Sequence, residues 1–436
     1  MDKLQIGFMG VGAVLALIGL RIPIGVVLAV VSFAGVWMAT SMTAAVGVVR
    51  AIPYQFIATW SFSAVPMFLL MGYIASHAGL TTGLFKALRL MLVRVPGGLA
   101  VSSVGATALF SAASGSSIAT AAAMAKISIP EMLRSGYDKA LATGSVAAAG
   151  TLGAMIPPSI LMVLYGVFTQ TSIGRLFMAG FIPGILSAIL FSGLIVALVL
   201  WKPSLAPRDG QRAAPGELRA ALLEIWPLPV LVVGVLGGIF AGVMTPTEAG
   251  AIGALLAAII ALLRGQLRVS TLRNALRDTA SSTSAIFVIA MGASMFTTFM
   301  GITGLPNYFA GSLLGVVGDN PLMLILIIAV VYIIMGMFID SIGIMLLTLP
   351  ILMPLLTALN IDMIWFGIIV IKLLEIGLIT PPVGLNVFVV ASALQGSVSL
   401  ATVFRGTSWF LIAELVSLAL IIFFPAIALW LPGQFQ

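Results

Sequence analysis

The chain has 436 residues, of which 61% are hydrophobic and only 8% are charged. A soluble globular protein carries about 25% charged residues, so this composition excludes that class. The chain contains no cysteine and one histidine, which excludes disulfides, thiolate metal sites and multi-histidine metal sites. The net charge of +7 is concentrated in short loops, a pattern that reports membrane topology and not nucleic-acid binding.

Apolar stretches close to the membrane-spanning length recur along the chain and predict membrane helices. They lie at residues 6–20, 22–40, 182–200, 225–243, 249–263, 323–338 and 409–431. The sequence shows none of the ten-residue alternating stretches that a transmembrane barrel requires. The predicted fold class is therefore an all-α, multi-pass membrane protein. Residues 41–60 and 264–280 are less apolar, and each forms either an interfacial helix or an ordinary loop.

Two basic segments determine the expected topology. The first contains Lys202, Arg208, Arg212 and Arg219, and the second contains Arg264, Arg268, Arg273 and Arg277. The positive-inside rule places both on the cytoplasmic side, and the apolar stretch between them is long enough for two crossings. Residues 202–224 are the most polar part of the chain. We take them as the connecting loop between a first repeat, residues 1–201, and a second repeat, residues 225–436.

Several motifs recur in the same order on either side of this loop. RIPIG at residues 21–25 corresponds to MTPTEAG at residues 244–250. FSAASGSSIATAAAM at residues 110–124 corresponds to FIDSIGIMLLTLPILMP at residues 338–354. Weak internal symmetry of this kind is common in secondary transporters, whose repeats are often inverted in the membrane. We therefore predict two structural repeats and expect them to be inverted.

A matching pair of interruptions follows these motifs. GTLGAMIPPS occupies residues 150–159, and EIGLITPPVG occupies residues 375–384. Aligned on their double prolines, Gly153 corresponds to Gly377. Each proline removes a helical hydrogen bond, and lipid cannot satisfy the exposed backbone. Such breaks persist only against protein or a water-filled cavity, and corresponding breaks in two halves indicate a transporter binding site.

Polar residues next to the breaks have the chemistry of ion and anion sites. The first half places Ser111, Ser114, Gly115, Ser116, Ser117 and Thr120 in an apolar environment, and the second half places Asp340, Ser341 and Gly343 there. Hydroxyl and carbonyl oxygens are the ligands that hard cations prefer. Exposed amides at helix N-termini suit an anionic substrate. Small residues also allow close packing of membrane helices, so a purely structural role is the alternative.

Four further residues have two interpretations each. Asp340 and Glu375 lie in strongly apolar runs, where ionisable groups are functional candidates by default. Lys372 stands three residues before Glu375, so an intrahelical ion pair is the structural alternative for that glutamate. Glu248 is placed to cap the helix that follows MTPTEAG. Asn386 follows the second break and is placed either to orient carbonyl groups or to contact substrate.

Other functional classes lack the required residues. No phosphate-binding loop is present, so the chain does not hydrolyse ATP, and accumulation must draw on an ion gradient or another subunit. An intramembrane hydrolase would need an activated serine or a pair of acids, and His77, the only imidazole, lies in a different motif. We predict no enzymatic activity. A passive channel is a further alternative, and non-saturating flux without sodium would indicate it.

Taken together, the motifs resemble those of the large membrane subunit of tripartite ATP-independent periplasmic (TRAP) transporters. The motifs are GLRIPIG, FSAASGSSIATAAAM, GTLGAMIPPS, GVMTPTEAGAIGA, FIDSIGIMLLTLPILMP and GLITPPVGLNVF, and they extend over essentially the full chain. The resemblance implies an elevator-type transporter in the bacterial inner membrane, with helical hairpins and broken helices in a mobile domain. It also implies Na⁺ coupling, a small four-helix membrane subunit, a periplasmic substrate-binding protein and a carboxylate substrate.

The residues and the resemblance together assign candidate sites. Sodium ligation is assigned to Ser114, Gly115, Gly153, Asp340, Gly343, Gly377 and Thr380, and substrate binding to Ser116, Ser117, Pro157, Pro158, Pro381, Pro382 and Asn386. Which segment of each half is the hairpin tip and which is the broken helix stays open at this point. Family members often carry a basic residue before the turn of the second half, but residues 300–307 read MGITGLPN. Amides at the ends of the broken helices and bound sodium ions are then the groups available to neutralise the carboxylate of the substrate.

The predicted function is sodium-coupled secondary transport of an organic anion, such as a C4-dicarboxylate or a sugar acid. Sodium binding at the two polar breaks would order them and complete the substrate site. A carboxylate alone in a low dielectric is prohibitively costly, whereas one paired with cations is tolerated. The alternative is an ion-coupled carboxylate carrier of similar architecture that works alone, and a requirement for a binding protein separates the two.

Overall fold

The computed structural model describes residues 2–80, 82–207, 216–318 and 320–435. Within these ranges the chain forms helices joined by turns and short irregular segments, with no strand. The all-α class predicted from composition is confirmed. Arg208 and Arg212, which belong to the predicted connecting loop, lie outside the described residues.

The first half begins with helices that pair in chain order. Its helices are α1 (Lys3–Gly19), α2 (Ile24–Ala39), α3 (Met42–Ala58), α4 (Ala64–His77), α5 (Thr82–Met91), α6 (Gly98–Ser114), α7 (Ser117–Arg134), α8 (Lys139–Gly150), α9 (Leu152–Met155), α10 (Ile160–Thr169) and α11 (Ile173–Trp201). A 3₁₀ turn at Trp60–Ser63 joins α3 to α4 with a bend of 60°. A second 3₁₀ turn, Pro203–Leu205, follows α11.

The second half repeats part of this order. Its helices are α12 (Glu217–Glu224), α13 (Pro227–Val232), α14 (Gly238–Phe240), α15 (Pro246–Leu263), α16 (Val269–Thr303), α17 (Leu305–Val317), α18 (Pro321–Gly336), α19 (Ser341–Ala358), α20 (Met363–Ile379), α21 (Leu385–Ala393), α22 (Leu400–Phe423) and α23 (Ala426–Gln434). A π-helical segment, Val233–Gly237, joins α13 to α14. In each half, two helices meet at a tight turn, a broken helix follows, and a long helix closes the unit.

In the described part of the chain, seven helical segments are long and apolar enough to cross a membrane, or eight if the bent pair α3–α4 counts as one span. Two sequence expectations need correction. The apolar stretch at 409–431 does not match one helix. Ser399 caps α22, whose first turns are more polar, so the stretch begins inside this helix and continues past its end at Phe423. The stretch at 264–280 is neither a separate interfacial helix nor a loop. Most of it is the start of α16, which continues for 35 residues.

The helices pack in two groups. The scaffold group comprises α1–α4, α15 and α16, in which α2 lies along α16 and α4 lies along α15. A Cβ on Gly25 would stand 2.8 Å from the Val288 carbonyl oxygen, so these backbones touch. The central group comprises α6–α11 and α18–α22, in which α8 lies along α22. Gly144 and Gly406 allow the same close approach there.

The basic residues indicate on which side of the membrane several helix ends lie. Arg264 and Arg268 lie where α15 ends and α16 begins, so the positive-inside rule puts this junction on the cytoplasmic side. The Asp138 amide donates to the Leu205 carbonyl at 2.9 Å, which places the start of α8 beside the end of α11. His77, the last residue of α4, contacts α16 close to its basic start, as described below. The ends of α4, α11 and α15 therefore share the cytoplasmic side.

Candidate functional site

The turn between α6 and α7, residues 114–117, is the first tip, and it packs directly on a broken helix. Gly115 has a left-handed backbone with φ of 63°, which glycine adopts at little cost. Its carbonyl accepts a hydrogen bond from the first amide of α10 at 3.3 Å. A Cβ on Gly153 would lie 2.7 Å from the Ser116 carbonyl oxygen. The backbone of α9 therefore approaches the first tip too closely for a side chain at this position.

The turn between α18 and α19, residues 337–340, is the second tip, and it has the same kind of support. Asp340 caps α19, since its Oδ2 accepts a hydrogen bond from the Gly343 amide at 3.0 Å. A Cβ on Gly377 would stand 2.6 Å from the Cα of Gly336. The last turn of α20 and the end of α18 are thus in backbone contact beside the second tip.

The double prolines interrupt the helices that support the tips. The first break, residues 156–159, separates α9 from α10, and the second break, residues 380–384, separates α20 from α21. Each contains a cis peptide bond between its two prolines. The structure thus resolves the question that the sequence left open. The serine–glycine and aspartate–serine segments are the tips, and the double-proline segments are the broken helices.

The two halves contact each other through polar side chains. Ser117, at the start of α7, donates to Oε2 of Glu375 on α20 at 2.5 Å. Asn386, at the start of α21, donates through Nδ2 to the Ala147 carbonyl on α8 at 3.4 Å. Each contact joins a residue next to a tip or break of one half to a helix of the other half. The polar residues predicted from the two repeats therefore form one central region.

A cavity of about 600 Å³, the central cavity, opens between the scaffold and central groups. Helices α4 and α16 form one wall, and α7, α19 and α20 form the other. The inner end of the cavity is lined by the backbone of Gly115 and by the polar side chains of Ser116, Ser117, Asp340, Ser341 and Glu375. Its outer end reaches His77 and Asp278, close to the basic start of α16. The cavity therefore runs from both tips toward the cytoplasmic side.

Several buried oxygens in this region have no hydrogen-bond partner. They include Oε1 of Glu375 and Oγ of Ser341, both lining the cavity, and Oδ1 of Asn386. Buried polar atoms are almost always paired, so each exception calls for an explanation. A hard cation takes such carboxylate, hydroxyl and amide oxygens as ligands. Within the described residues, no group of three or more His, Cys, Asp or Glu side chains could hold a metal ion.

A buried ion-pair network lies behind the first break. Lys372 pairs with Glu414 on α22 and donates to Ser187 on α11 at 2.9 Å. Thr151, between α8 and α9, donates to Oε1 of Glu414 at 2.8 Å. The intrahelical pair of Lys372 with Glu375, considered from the sequence, is therefore not formed. The lysine charge is matched by Glu414, and Glu375 faces the cavity with Ser117 as its only hydrogen-bond partner among the described residues.

Aromatic side chains cluster just before the start of α4 and at the end of α10, away from His77 at the other end of α4. The aromatic seal consists of Phe56, Phe62, Phe168 and Phe287, drawn from α3, the following turn, α10 and α16. The Phe56 and Phe62 ring centroids are 3.9 Å apart, and those of Phe62 and Phe168 are 6.3 Å apart. Beyond them lies a depression of about 330 Å³ that includes Gln170 and Thr298. The central cavity and this depression are therefore separate spaces.

The predicted site residues fall into two sets. Four of them line the central cavity, namely Gly115, Ser116, Ser117 and Asp340. The others stand behind or beside it, namely Ser114, Gly153, Pro157, Pro158, Gly343, Gly377, Thr380, Pro381, Pro382 and Asn386. Ser114 bonds to Thr120 at 2.5 Å, and Thr380 donates to the Ile376 carbonyl at 2.6 Å. Many of the residues in the second set support the tips and breaks and do not face the cavity.

Sequence reasoning missed Glu414 and Lys126, and it correctly placed Glu248. Glu414 is the only acid within a 24-residue apolar helix, the same signal that identified Asp340. Lys126 also lines the cavity, but it lies ten positions after Ser116 along the chain, and no sequence motif connects it with the serine–glycine cluster. The capping role of Glu248 is confirmed. Its Oε2 accepts the Thr245 amide at 2.8 Å, and its own amide donates to Thr245 at 3.4 Å.

A membrane bundle with two tips, two broken helices and a cavity between two helix groups has the architecture of a transporter. The solved Alcanivorax borkumensis YdaH transporter has a similar fold, with a TM-score of 0.63 at 16% identity over 89% of this chain and 90% of that one. At this low identity, the similarity concerns the fold alone.

Comparison of sequences identifies the family. The family model described as "Tripartite ATP-independent periplasmic transporter, DctM component" matches residues 11–427. The C4-dicarboxylate TRAP transporter large permease protein DctM of Pseudomonas aeruginosa is 39% identical over 86% of each chain. The sialic acid TRAP transporter large permease protein SiaM of Vibrio cholerae is 33% identical over 87% of this chain and 88% of that one. The chain belongs to the family of TRAP transporter large permeases.

Proposed function

We propose that the chain is a sodium-coupled secondary transporter of an organic anion. The observation that carries this proposal is the inner end of the central cavity, where two tips bring Asp340, Glu375 and unpartnered oxygens together. Two acidic side chains at one end of a cavity repel a carboxylate unless cations are bound beside them. Sodium binding would therefore precede or accompany substrate binding, which is the physical basis of the coupling.

The helices that begin at the tips supply further positive potential. α7 and α19 each have 18 residues, and both start at the inner end of the cavity. A helix N-terminus carries a partial positive charge and unpaired amide groups, which favour an anion. The Asp340 carboxylate already caps α19, whereas the neutral Ser116 hydroxyl caps α7, so the start of α7 is where the substrate carboxylate would complete the neutralisation that sodium begins. This arrangement would take the place of the basic residue that residues 300–307 lack.

The substrate class follows from the relatives and from this chemistry. The two permeases named above are described as carrying a C4-dicarboxylate and sialic acid. Both substrates contain a carboxylate, which suits helix termini and bound cations. We propose that the chain works in the bacterial inner membrane with a small membrane subunit and a periplasmic binding protein. The central group would carry the loaded site past the scaffold group, as in an elevator.

Uptake into proteoliposomes tests this function. The vesicles would contain the chain with its small subunit and would be supplied with labelled succinate or N-acetylneuraminate. We expect uptake that requires both an inward sodium gradient and the binding protein. Sodium-dependent uptake without the binding protein would establish the stand-alone carrier instead. Saturable uptake that is equally fast without a sodium gradient would contradict the sodium coupling.

Asp340→Asn tests the role of the second tip in sodium binding. The substitution keeps the shape of the side chain and removes its charge, so a bound sodium ion loses an electrostatic partner. We expect the sodium activation curve of uptake to shift to higher concentration by about tenfold, equivalent to about 1.4 kcal/mol. An unchanged curve would remove Asp340 from the sodium site. Asp362→Asn, which alters the cap at the start of α20 away from the cavity, serves as the control.

A further inference from the structure

One face of α7 continues the lining of the central cavity from the first tip to the cytoplasmic side. Ser116, Ala119, Ala122, Ala123 and Lys126 all contribute to the wall. The spacing of these positions follows the helical repeat, so they form one stripe along the helix. The stripe is apolar in its middle and ends in an ammonium group. An anion that leaves the first tip would therefore pass this lysine on its way to the cytoplasm.

The charges in the cavity are distributed unequally. The inner end holds Asp340 and Glu375, and the outer end holds His77, Asp278 and Lys126. Among the described residues that line the cavity, Lys126 is the only lysine or arginine. The basic side chain that a carboxylate substrate would meet is thus at the outer end, while the acids that need sodium are at the inner end.

Lys126 is not committed to a structural ion pair. No described carboxylate lies within 4.0 Å of its ammonium group. The nearby acid is already engaged, because Oδ2 of Asp278 contacts Nε2 of His77 at 2.8 Å. Tyr73 stacks on His77, and its hydroxyl bonds to Ser282 at 2.7 Å, so both neighbours are held in place. The exposed lysine remains available to an external anion.

We propose that Lys126 forms a second anion-binding subsite in the outer half of the central cavity, which receives the carboxylate of the substrate before its release to the cytoplasm. This inference rests on the proposed function, since it concerns the same transported anion. Ser116 and Lys126 are ten positions apart, which corresponds to about 15 Å along the helix. The lysine side chain leans back toward the first tip, which shortens the gap that the anion crosses. The subsite would favour release by offering the anion a partner outside the sodium-bound site.

The absence of cysteine allows a direct test of the charge. In Lys126→Cys, aminoethyl methanethiosulfonate forms a mixed disulfide that ends in an ammonium group and releases methanesulfinate. Sulfonatoethyl methanethiosulfonate adds a negative group in the same way. The same protein sample is therefore measured with no charge, a restored positive charge and a negative charge at position 126. Lys202→Cys, which replaces an exposed lysine on the same side but outside the cavity, is the matched control.

The measurement is counterflow in right-side-out proteoliposomes with cysteine-free partner proteins. The probe is whichever of succinate and N-acetylneuraminate the unmodified chain transports. The concentration of unlabelled probe inside the vesicles is varied, and the half-saturating value reports binding from the cytoplasmic side. We expect this value to rise about fivefold in Lys126→Cys, the upper range for a partly solvated ion pair. It should return to normal with the ammonium reagent and rise further with the sulfonate reagent.

Each result decides a separate question. Failure of the unmodified chain to transport either probe counts against the proposed function itself. Transport by the unmodified chain, with Lys126→Cys indistinguishable from Lys202→Cys, overturns the subsite. Equal impairment of Lys126→Cys before and after the ammonium reagent also overturns it, because the charge is then irrelevant. The rescue on one sample excludes misfolding as the cause of a positive result.

Discussion

The two helix breaks carry the same double proline but lie in different surroundings. Pro157 and Pro158 are buried, as are the residues on both sides of them. Pro381 and Pro382 are exposed, and the second tip beside them is only partly covered. The same motif is thus enclosed by the central group in the first half and left open in the second half. The two breaks therefore share a local backbone form but differ in how closely neighbouring helices pack around them.

The buried ion-pair network also contacts the two breaks differently. Thr151, one turn before the first break, is held by Glu414, which in turn pairs with Lys372. No ion pair among the described residues involves a residue of the second break. The network therefore holds the residue before α9 directly and reaches the second break only through α20, eight positions before Thr380. We expect the second break, which is also the more exposed one, to be the easier of the two to displace.

Removal of one partner from the network should have the largest effect. Lys372→Met leaves Glu414 buried without a counter-charge, which costs about 3–5 kcal/mol. We expect a large drop in the thermal unfolding midpoint of the purified chain in detergent and loosening of the first break. Lys372→Met combined with Glu414→Met removes both charges and should recover most of the stability. A single variant as stable as the unmodified chain would contradict the role given to the pair, and Lys202→Met is the exposed control.

Alanine at the two break glycines should have an intermediate effect that differs between the halves. Both glycines are buried and touch backbone, but Gly153 faces the enclosed first tip, whereas Gly377 faces the end of α18 beside the partly exposed second tip. Overpacking costs about 1–3 kcal/mol, so we expect about a tenfold loss of initial uptake rate for Gly153→Ala and a smaller loss for Gly377→Ala. Gly12→Ala, which meets nothing within 4 Å, should be neutral. The reverse order would show that the first break is the mobile one.

Thiol labelling should detect the same difference with the smallest disturbance. In the cysteine-free chain, Ile156→Cys places a thiol in the first break and Val383→Cys places one in the second. Ile156 is 7% exposed, whereas Val383 is half-buried. We expect a water-soluble maleimide to modify Val383→Cys several times faster, with uptake by both unmodified variants close to normal. Equal rates would show that the first break opens as readily as the second.

Much of the fold could be predicted from the sequence because lipid imposes simple rules. Hydropathy identified spanning helices, and the double prolines identified both breaks, since a proline in a membrane helix leaves few structural options. The limits of α22 and the length of α16 were missed. In both cases polar residues continue a helix beyond the apolar stretch, as in the first turns of α16 with Arg273 and Arg277. Local hydropathy contains no signal for such extensions.

The site could be predicted only in part, because it is assembled from both halves. Ser117 and Asp340 were found from their unusual residue types in apolar surroundings. The partners of Lys372 and Glu375 were not, because Glu414 and Ser117 lie far away in sequence and only the packing of α20 against α7 and α22 brings them together. Lys126 was missed for a related reason. Its role depends on which face of α7 lines the cavity, and the many alanines on several faces of this helix leave little sequence signal for that face.

The aromatic seal has a consequence for the energetics of the cell. Phe56 and Phe62 from the scaffold group meet Phe168 from the central group, so the contact depends on how the two groups are placed. With this contact in place, the central cavity and the depression beyond the rings stay separate, so water and ions in the cavity would reach only one face of the membrane. A gap there would let sodium run down its gradient and discharge the membrane potential without moving substrate. The four rings of the aromatic seal would thus serve as electrical insulation, and a motion that parts them would have to close the cytoplasmic opening first.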